Sequence, residues 1–573
     1  MLNLGPAFYQ IAEWIHNQTD MVLLVQVAAI SLFTSVFIIA VICKRLKKGE
    51  TLFVLFGALT IILFRMLTLY SDSYNPDEGM HLANSIALYY DFRPWGSTDF
   101  TTFGPVNAVL IVLLARILDI LRIQGGLTYF SLRALNIILL TTSFIFFVKI
   151  LNKSVNYAVS KAISVLFIVF YSFHFNFDVL AYNAEIAYIF FLTAALYLLY
   201  KLDERLKISS LFFYGLVCGI IPYIKLQTVP MCIILCAGGY YLLVRSAMKL
   251  GKEKIQKIIV DFLVLSLGIL LPTIILVIKL LTFENGLSDA WFYYIENAKS
   301  HIGNPGITKY LSQFVKMLEL FSDDALKICI SVVILLLFLI IVLKLKLSEK
   351  FLFSGLFLMV SMFAVVRPFS LFYHYVNFLV IPVLLFLAET VQMLFDNEKH
   401  FGKINIKLLL LTVLFLCPIR EFGMFYEEIK TSTVFSLRQV VGEANSELTE
   451  LSKFIVKNTG PDDMIVVWGW ESRVFVYSKR RSATRQTDIQ RLYWPYDERN
   501  VEMYISDILE NEPKYIVDVV APNSCAYEDE NIYALGNHAV VWNAIKDHYM
   551  LVETIPVSDG SYKIYELIHS KGV

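Results

Sequence analysis

Long apolar runs fill the first 425 residues of this 573-residue chain, and they limit what it can fold into. An α-helix needs about 20 predominantly apolar residues to cross the hydrocarbon core of a bilayer. The chain is 57% hydrophobic and only 17% charged, whereas soluble domains carry about 25% charged residues. We therefore predict a polytopic α-helical membrane protein. The thirteen apolar runs lie at approximately 21–43, 51–70, 104–121, 132–151, 160–176, 182–200, 209–224, 227–245, 257–282, 326–345, 351–366, 371–393 and 406–421.

Basic residues between these runs predict their orientation, because cytoplasmic loops are enriched in Lys and Arg. If all thirteen runs crossed the membrane, only the first two of six basic clusters would be cytoplasmic. The run at 104–121 begins with Gly104-Pro105 and contains Arg116 and Asp119, so it is a poor transmembrane segment. Placing it on the outer face brings all six clusters inside, and predicts twelve spans with both termini outside. The clusters lie at Lys44–Lys48, Lys149–Lys161, Lys201–Lys207, Arg245–Lys257, Lys344–Lys350 and Lys399–Lys407.

The residue pattern changes near residue 445, so we predict two domains. A transmembrane domain covers 1–425, with outer loops at 71–131 and 283–325, and a small soluble extracytoplasmic α/β domain covers 430–573. The second region contains neither a glycine-rich phosphate loop nor a nucleophile elbow, so nothing in it predicts an independent catalytic centre. Two β-branched runs, a stretch with helical spacing and a final alternating run indicate strand, strand, helix and strand. They lie at Met464–Trp468, Tyr515–Val520, 498–512 and Tyr562–Leu567.

The outer loop at 71–131 contains the most informative polar residues. Pro76 suits the first position of a helix, and Asp77 and Glu78 suit its first turn, so the two acids are either a helix cap or part of a site. A loop of about sixty residues is unusually long, and long ordered loops are usually functional. Ionisable residues at apolar edges are costly and often functional, although any single one is more often a snorkelling side chain. Others occur at predicted outer boundaries: Arg133, Asp178, Asn183, Glu185, Lys225, Gln227, Arg367, His374 and Tyr375.

These motifs resemble a known superfamily. The segment Tyr74–Gly79, which follows the second apolar run, is similar to the Asp-Glu signature of the GT-C superfamily of membrane glycosyltransferases. Within that superfamily it resembles the protein O-mannosyltransferase and aminoarabinose transferase branch (glycosyltransferase family 39-like). Tyr89–Pro94 and Phe103–Pro105 resemble that branch's juxtamembrane helices. The resemblance covers most of 50–395 in order and pattern, and the polar boundary residues fall where the family also places polar residues.

The resemblance implies a GT-C fold and a sugar donor carried on a polyprenyl phosphate. It implies inverting transfer to a hydroxyl acceptor, which is a glycan, lipid or protein. One base must take the acceptor proton, and cations must hold the departing phosphate. The implied role of Asp77 is that of the base, and Glu78 would orient the acceptor, the sugar or a neighbouring cation. The phosphate would be bound by Lys225, Arg367 and Arg133. The residues that would bind the acceptor or support the site from behind are Glu185, Asn183, His374 and Tyr375.

Cofactor and location are further expectations. No cofactor is required by the residues, although Asp77 and His81 lie at i and i+4, a spacing that could hold a divalent metal. The partners expected are the lipid-linked donor, the acceptor and the bilayer, and the net charge of zero gives no reason to expect nucleic acid. We expect a multi-pass protein of the prokaryotic inner (cell) membrane, with the active site and C-terminal domain extracytoplasmic.

Other functions compete with glycosyl transfer. A transporter or flippase of lipid-linked sugars would place charges mid-span or break paired helices in two halves, whereas here the ionisable residues gather at one face. A polymerase or ligase would share donor and compartment but would not be expected to carry Asp-Glu directly after an early span. A membrane-anchored binding protein would leave the polar loops unexplained.

Overall fold

The computed structural model describes residues 49–397 and 446–568, apart from short internal gaps. The predicted spans at 21–43 and 406–421, and much of the one at 326–345, lie outside the described residues. The gaps are 67, 70–73, 102, 123–125, 175, 251–254, 303–305, 321–328, 332, 335–336, 338–340, 342–344, 495, 523 and 558–559.

The membrane domain is built from helices. Helices α1 to α8 are Glu50–Met66, Pro76–Tyr90, Pro105–Ile120, Tyr129–Ser154, Tyr157–Phe173, Phe177–Leu180, Ala184–Glu204 and Ile208–Ile220. Helices α9 to α15 are Val229–Leu250, Ile255–Leu280, Gly286–Trp291, Asn297–Ile302, Ile307–Leu320, Glu349–Val366 and Asn377–Asp396. Short 3₁₀ segments are Ile221–Tyr223, Leu226–Thr228 and Tyr373–Val376, and Phe292–Glu296 is a π-helical turn.

Within the described ranges, six helical segments are long and apolar enough to cross a bilayer, and two further apolar helices are shorter. The prediction of a multi-pass helical protein is confirmed at this level, and the count of twelve spans stays a prediction. Helix α3 has 16 residues and is not among the six, so its predicted place on the outer face also stays a prediction. The six segments are Tyr129–Ser154, Ala184–Glu204, Leu226–Met248, Ile255–Leu280, Glu349–Val366 and Tyr373–Asp396.

A buried arginine connects the first helices through hydrogen bonds to backbone carbonyls. Arg65, at the end of α1, is 1% exposed. Its Nε donates to the carbonyl of Tyr171 in α5 at 2.7 Å, and its Nη1 donates to the carbonyl of Val179 in α6 at 3.1 Å. These carbonyls lie where helices end and lack intrahelical partners, so the guanidinium satisfies them and fixes the relative positions of three helices beside the site.

The C-terminal domain is a mixed α/β unit. Helices α16 to α21 are Ser446–Asn458, Arg473–Ser478, Gln490–Tyr493, Glu498–Asn511, Glu530–Tyr533 and Ala539–Ile545. Strands β1 to β5 are Met464–Trp468, Arg481–Ser482, Tyr515–Asp518, Tyr549–Val557 and Gly560–Leu567. The sheet order is β2-β1-β3-β5-β4, with β1 parallel to β2 and β3, and β5 antiparallel to β3 and β4. The predicted strands at 464–468, 515–520 and 562–567 and the helix at 498–512 are therefore confirmed.

The C-terminal domain packs directly on the membrane domain through polar contacts. Arg485 Nη1 donates to Asp289 of α11 at 2.9 Å and its Nε donates to Asp507 of α19 at 3.2 Å. The side chains of Asn297 and Asn500 exchange hydrogen bonds at 3.2 Å across the same boundary. These contacts hold the C-terminal domain against the membrane domain.

Candidate active site

A cavity of about 200 Å³ lies between the helix ends and the C-terminal domain. Of the ten residues that the sequence analysis assigned to a site, the cavity is lined by eight, and Glu78 and Arg133 are the exceptions. Distant parts of the chain meet here, because each residue lies at the start or end of a helix on the same side of the bundle. The eight are Asp77, His81, Asn183, Glu185, Lys225, Arg367, His374 and Tyr375.

Asp77 occupies the first turn of α2. Pro76 begins this helix, and Asn75 caps it by accepting the Glu78 backbone N–H through its side chain at 3.1 Å. The Asp77 side chain is 27% exposed, and its Oδ2 lies 4.0 Å from His374 Nδ1. Burial raises the pKa of Asp77 above its usual range, and the nearby His374 and Lys225 oppose that rise. A carboxylate with a raised pKa is a better proton acceptor than an ordinary aspartate.

Glu185 and Lys225 form an ion pair beside Asp77. Lys225 Nζ lies 2.6 Å from Glu185 Oε1 and 4.5 Å from the centre of the Tyr375 ring. His374 Nε2 lies 3.8 Å from the same carboxylate oxygen. The backbone before Lys225 is held by α3, where Asn107 Nδ2 donates to the Ile224 carbonyl at 2.8 Å. The ammonium group therefore has a fixed position at the membrane side of the cavity.

Arg367 is the second cation at the membrane side. It caps the C-terminal end of α14, and its side chain is exposed. Among the residues that the structure describes, its side chain makes no hydrogen bond or ion pair, although its backbone N–H donates to the Phe363 carbonyl at 2.9 Å. Its guanidinium is therefore available to an anionic ligand, unlike that of a structural arginine.

Glu78 and Arg133 do not line the cavity, so its geometry does not support their predicted roles in catalysis and phosphate binding. Both side chains are 0% exposed, and Arg133 Nη2 lies 2.8 Å from Glu78 Oε2. Glu78 also accepts the backbone N–H groups of Tyr74 and Tyr182 at 2.9 and 3.0 Å. One of the roles predicted for Glu78, orienting a neighbouring cation, fits this geometry, but the cation is the buried arginine Arg133 and not a cavity residue. Residues 77 and 78 project about 100° apart on the helix, which separates their environments.

The proposed metal pair is only partly supported by geometry. His81 lines the cavity, and burial lowers its pKa to about 3, so the imidazole is neutral at ordinary pH. Its Nδ1 has no hydrogen-bond partner. In the described part of the chain, no group of three or more His, Cys, Asp or Glu side chains could hold a metal ion.

Sequence reasoning missed the wall of the cavity that the C-terminal domain supplies. It named Asp178 as a polar boundary residue but gave it no role. The Oδ2 of Asp178 lies 4.0 Å from His374 Nδ1, and its Oδ1 accepts from Asn75 Nδ2 at 3.0 Å. The only signal for the wall was the tryptophan pair flanking Gly469, and nothing in it indicates contact with a distant membrane domain. The residues of this wall are Trp470, Gln490, Arg491 and Trp494.

Comparisons with known proteins give a structural match only. No protein-family model and no curated protein matches the sequence. The chain is similar to the structure of ArnT from Cupriavidus metallidurans bound to undecaprenyl phosphate, with a TM-score of 0.52 and 10% identity over 91% of this chain and 99% of that chain. It is also similar to the oligosaccharyltransferase AglB from Archaeoglobus fulgidus in complex with an inhibitory peptide and a dolichol-phosphate, with a TM-score of 0.44 and 11% identity over 92% of this chain and 75% of that chain.

Only the first of these likenesses is close enough to support a conclusion about fold, since the second has a TM-score below 0.5. ArnT, an aminoarabinose transferase, has the GT-C fold, and the match spans nearly its whole length. The chain therefore has the fold of the aminoarabinose transferase ArnT, the GT-C fold that its Asp-Glu segment predicted.

Proposed function

We propose that the chain is an inverting glycosyltransferase, which moves a sugar from a polyprenyl-phosphate-linked donor to a hydroxyl acceptor at the outer face of the membrane. Because one fold can host many activities, the proposal depends on the site. The observation that carries it is the meeting of Asp77 with the cations Lys225 and Arg367 in one cavity at the ends of apolar helices.

The two cations suit the donor phosphate. A lipid-linked donor must keep its chain in the bilayer while its phosphate reaches the helix ends. Lys225 follows one short helix of the outer boundary and Arg367 ends another, so both can meet a phosphate at that depth. Charge-assisted hydrogen bonds to phosphate are among the strongest in proteins. ArnT was crystallised with undecaprenyl phosphate, and a donor of that chemistry fits these cations.

Asp77 is suited to act as the general base that accepts the proton of the acceptor hydroxyl. In a single displacement, the acceptor oxygen bonds to the anomeric carbon while the bond from that carbon to the phosphate oxygen breaks. The bonding electrons leave with the phosphate, and the acceptor proton passes to the Asp77 carboxylate. Lys225 and Arg367 offset the charge that develops on the phosphate. Glu185 holds Lys225 through their ion pair, and His374 lies between Asp77 and Glu185, so both act as positioning residues.

The test is the Asp77→Asn variant. It keeps size and the start of α2 but cannot take a proton, so sugar transfer should fall by about two to four orders of magnitude. Binding of undecaprenyl phosphate should survive, because the cations remain. The assay is transfer by purified, folded protein from undecaprenyl-phosphate-linked sugars to an acceptor extract.

Asp119→Asn is the matched control, since Asp119 is exposed on α3 away from the cavity. Its transfer rate should equal that of the wild type. Near-normal turnover by Asp77→Asn would refute the assignment of the base. A wild-type protein that moves lipid-linked sugar across the bilayer but never releases it from phosphate would replace the transferase with a transporter.

A further inference from the structure

Six buried polar atoms at the cavity have no hydrogen-bond partner within the described structure, and Glu185 supplies one of them through Oε2. Two are donors, Arg491 Nη1 and Trp470 Nε1, and both come from the C-terminal domain. The membrane domain supplies the other three, Asn183 Oδ1, His81 Nδ1 and Thr101 Oγ1. Asn183 caps the start of helix α7, which contains Glu185. Buried polar groups are nearly always satisfied, so a cluster of unsatisfied ones at one cavity indicates a missing ligand.

The part of the cavity that the C-terminal domain supplies (Trp470, Gln490, Arg491 and Trp494) is called the soluble wall. It includes the residue that lies just beyond the end of parallel strand β1. Trp468, the last residue of β1, is buried in the core of the C-terminal domain, where its Nε1 donates to the Tyr533 carbonyl. Gly469 has a φ of 133°, a value that side-chain-bearing residues rarely adopt. The chain turns there, and Trp470 lines the cavity while it also packs at the edge of the core beside Tyr527. In open α/β sheets, ligands bind beyond the carboxyl ends of parallel strands.

Arg491 has the character of a ligand-binding side chain. It is 4% exposed, yet it makes no hydrogen bond or ion pair to any described residue. Asp99 and Asp488 are close enough to act on its charge without bonding to it. Burial raises the pKa of Asp488 to about 6. Because these two acids offset its charge, the guanidinium can act mainly as a directional hydrogen-bond donor.

This set of groups selects a class of ligand. The unsatisfied donors of the C-terminal domain and the unsatisfied acceptors of the membrane domain would both be satisfied by a molecule that accepts and donates hydrogen bonds, as sugar hydroxyls do. An anion would satisfy only the donors. Trp470, which is partly buried, and Trp494, which is 52% exposed, add aromatic surfaces, and aromatic faces pack well against the C–H face of a sugar ring.

We propose that Trp470 and Arg491 form the acceptor subsite and that the acceptor is a carbohydrate, an inference that rests on the proposed glycosyl transfer. The subsite lies on the soluble wall, away from Lys225 and Arg367 on the membrane wall. Asp77 lines the same cavity as residues of both walls. An acceptor hydroxyl on the soluble wall therefore approaches the donor sugar past Asp77.

The experiment measures acceptor kinetics of the full-length protein in nanodiscs with undecaprenyl-phosphate-linked sugars as donors. The acceptors are methyl glycosides and short oligosaccharides in one arm, and Ser- and Thr-containing peptides in the other. Trp470→Phe keeps an aromatic ring but removes the N–H donor, and Arg491→Gln removes the guanidinium. Each should raise the KM for glycosides by about 10- to 100-fold. The kcat and the affinity for undecaprenyl phosphate should stay unchanged.

Trp542→Phe and Lys546→Gln are controls in the same domain, because neither residue lines the cavity and Lys546 is exposed within its own domain. Their acceptor KM should equal that of the wild type. An unchanged glycoside KM in folded Trp470→Phe would overturn the subsite, even if Arg491→Gln failed to fold. Transfer to peptides but not glycosides would overturn the carbohydrate assignment while leaving the transferase intact. Transfer to neither class, with no binding of undecaprenyl phosphate, would instead remove the proposed function itself.

Discussion

Asp77 and Glu78 are adjacent in sequence but lie in opposite environments. Asp77 is 27% exposed at the cavity, whereas Glu78 is fully buried against Arg133. The sequence indicated an acidic pair at the start of a helix, and helical geometry predicts that the two side chains diverge. It could not predict that the buried partner of Glu78 is an arginine 55 residues away, because such pairing depends on how the helices pack.

We expect the acidic limb of the pH profile to report the charge around Asp77. The base must be deprotonated, so kcat/KM should rise with pH, with a midpoint above the usual pKa of about 3.9 because burial raises the pKa of Asp77. The positive charge of Lys225 stabilises the ionised form of the Asp77 carboxyl group. Lys225→Met should therefore move the midpoint to higher pH, besides lowering the rate. Lys546→Met, on the exposed surface of the C-terminal domain, should leave the midpoint in place. A midpoint that moves down in Lys225→Met would contradict this electrostatic coupling.

We expect Glu78→Gln to act mainly on stability. Glutamine keeps the shape but removes the charge, which leaves Arg133 buried without a counter-ion, and breaking a buried ion pair typically costs about 3–5 kcal/mol. The free energy of unfolding of purified protein is the measurement. Asp77→Asn should unfold almost like the wild type. The double variant Glu78→Gln/Arg133→Met should lose less stability than Glu78→Gln alone, because it removes both charges. Equal stability of the two single variants would show that Glu78 has no structural charge pair.

At the scale of whole elements, the sequence predicted well wherever a local pattern decides. The apolar runs at 132–151 and 351–366 correspond to helices Tyr129–Ser154 and Glu349–Val366. The β-branched run at 464–468 is strand β1. The sequence did not predict the π-helical turn Phe292–Glu296 or the 3₁₀ turns at Lys225. These irregular turns are set by contacts between helices, and a hydrophobic pattern carries no information about them.

Helices α8 and α10 approach closely through glycines, as expected for a small-xxx-small packing motif. A Cβ at Gly219 would lie 2.2 Å from the Ile269 carbonyl oxygen. Gly219→Ala must therefore push the two helices apart, and overpacking of this kind costs about 1–3 kcal/mol. Gly238→Ala is the control, because its Cβ would meet only side-chain atoms, at 3.3 Å or more. We expect a lower melting temperature for Gly219→Ala than for Gly238→Ala. The reverse order would show that the α8–α10 contact is looser than described.

At the scale of the whole molecule, the cavity belongs to two domains at once. The membrane wall was predictable, because helix-boundary residues on one side of a bundle must lie at similar depth. The soluble wall was not, since the presence of Trp470 and Arg491 at the same cavity as Asp77 depends on how the C-terminal domain docks. Docking combines apolar packing, such as Ala83 with the C-terminal core, and polar contacts. Among the polar contacts, Arg485 bridges Asp289 of the membrane domain and Asp507 of its own domain. The complete cavity therefore forms only when the C-terminal domain is docked on the membrane domain.

Arg485→Met should loosen the docking of the C-terminal domain. The substitution leaves the carboxylates of Asp289 and Asp507, which are 9% and 8% exposed, without their cation, and removing one partner of such a network costs about 3–5 kcal/mol. We expect faster amide hydrogen exchange on both sides of the boundary and a higher acceptor KM. Burial already raises the pKa of Asp507 to about 6, and losing Arg485 raises it further, so protonation at low pH should make the defect smaller at pH 5 than at pH 7.5.

The control for this change is Lys514→Met, which breaks a more exposed ion pair to Asp463 inside the C-terminal domain. It should alter exchange only near residue 514, because the pair does not reach the membrane domain. If Arg485→Met left exchange at the boundary unchanged, the soluble domain would be held by its other contacts, such as Asn297 with Asn500. If exchange rose while acceptor kinetics stayed the same, the soluble wall would take no part in binding the acceptor. A rise in both, together with intact binding of undecaprenyl phosphate, is the result that a cavity shared between two domains requires.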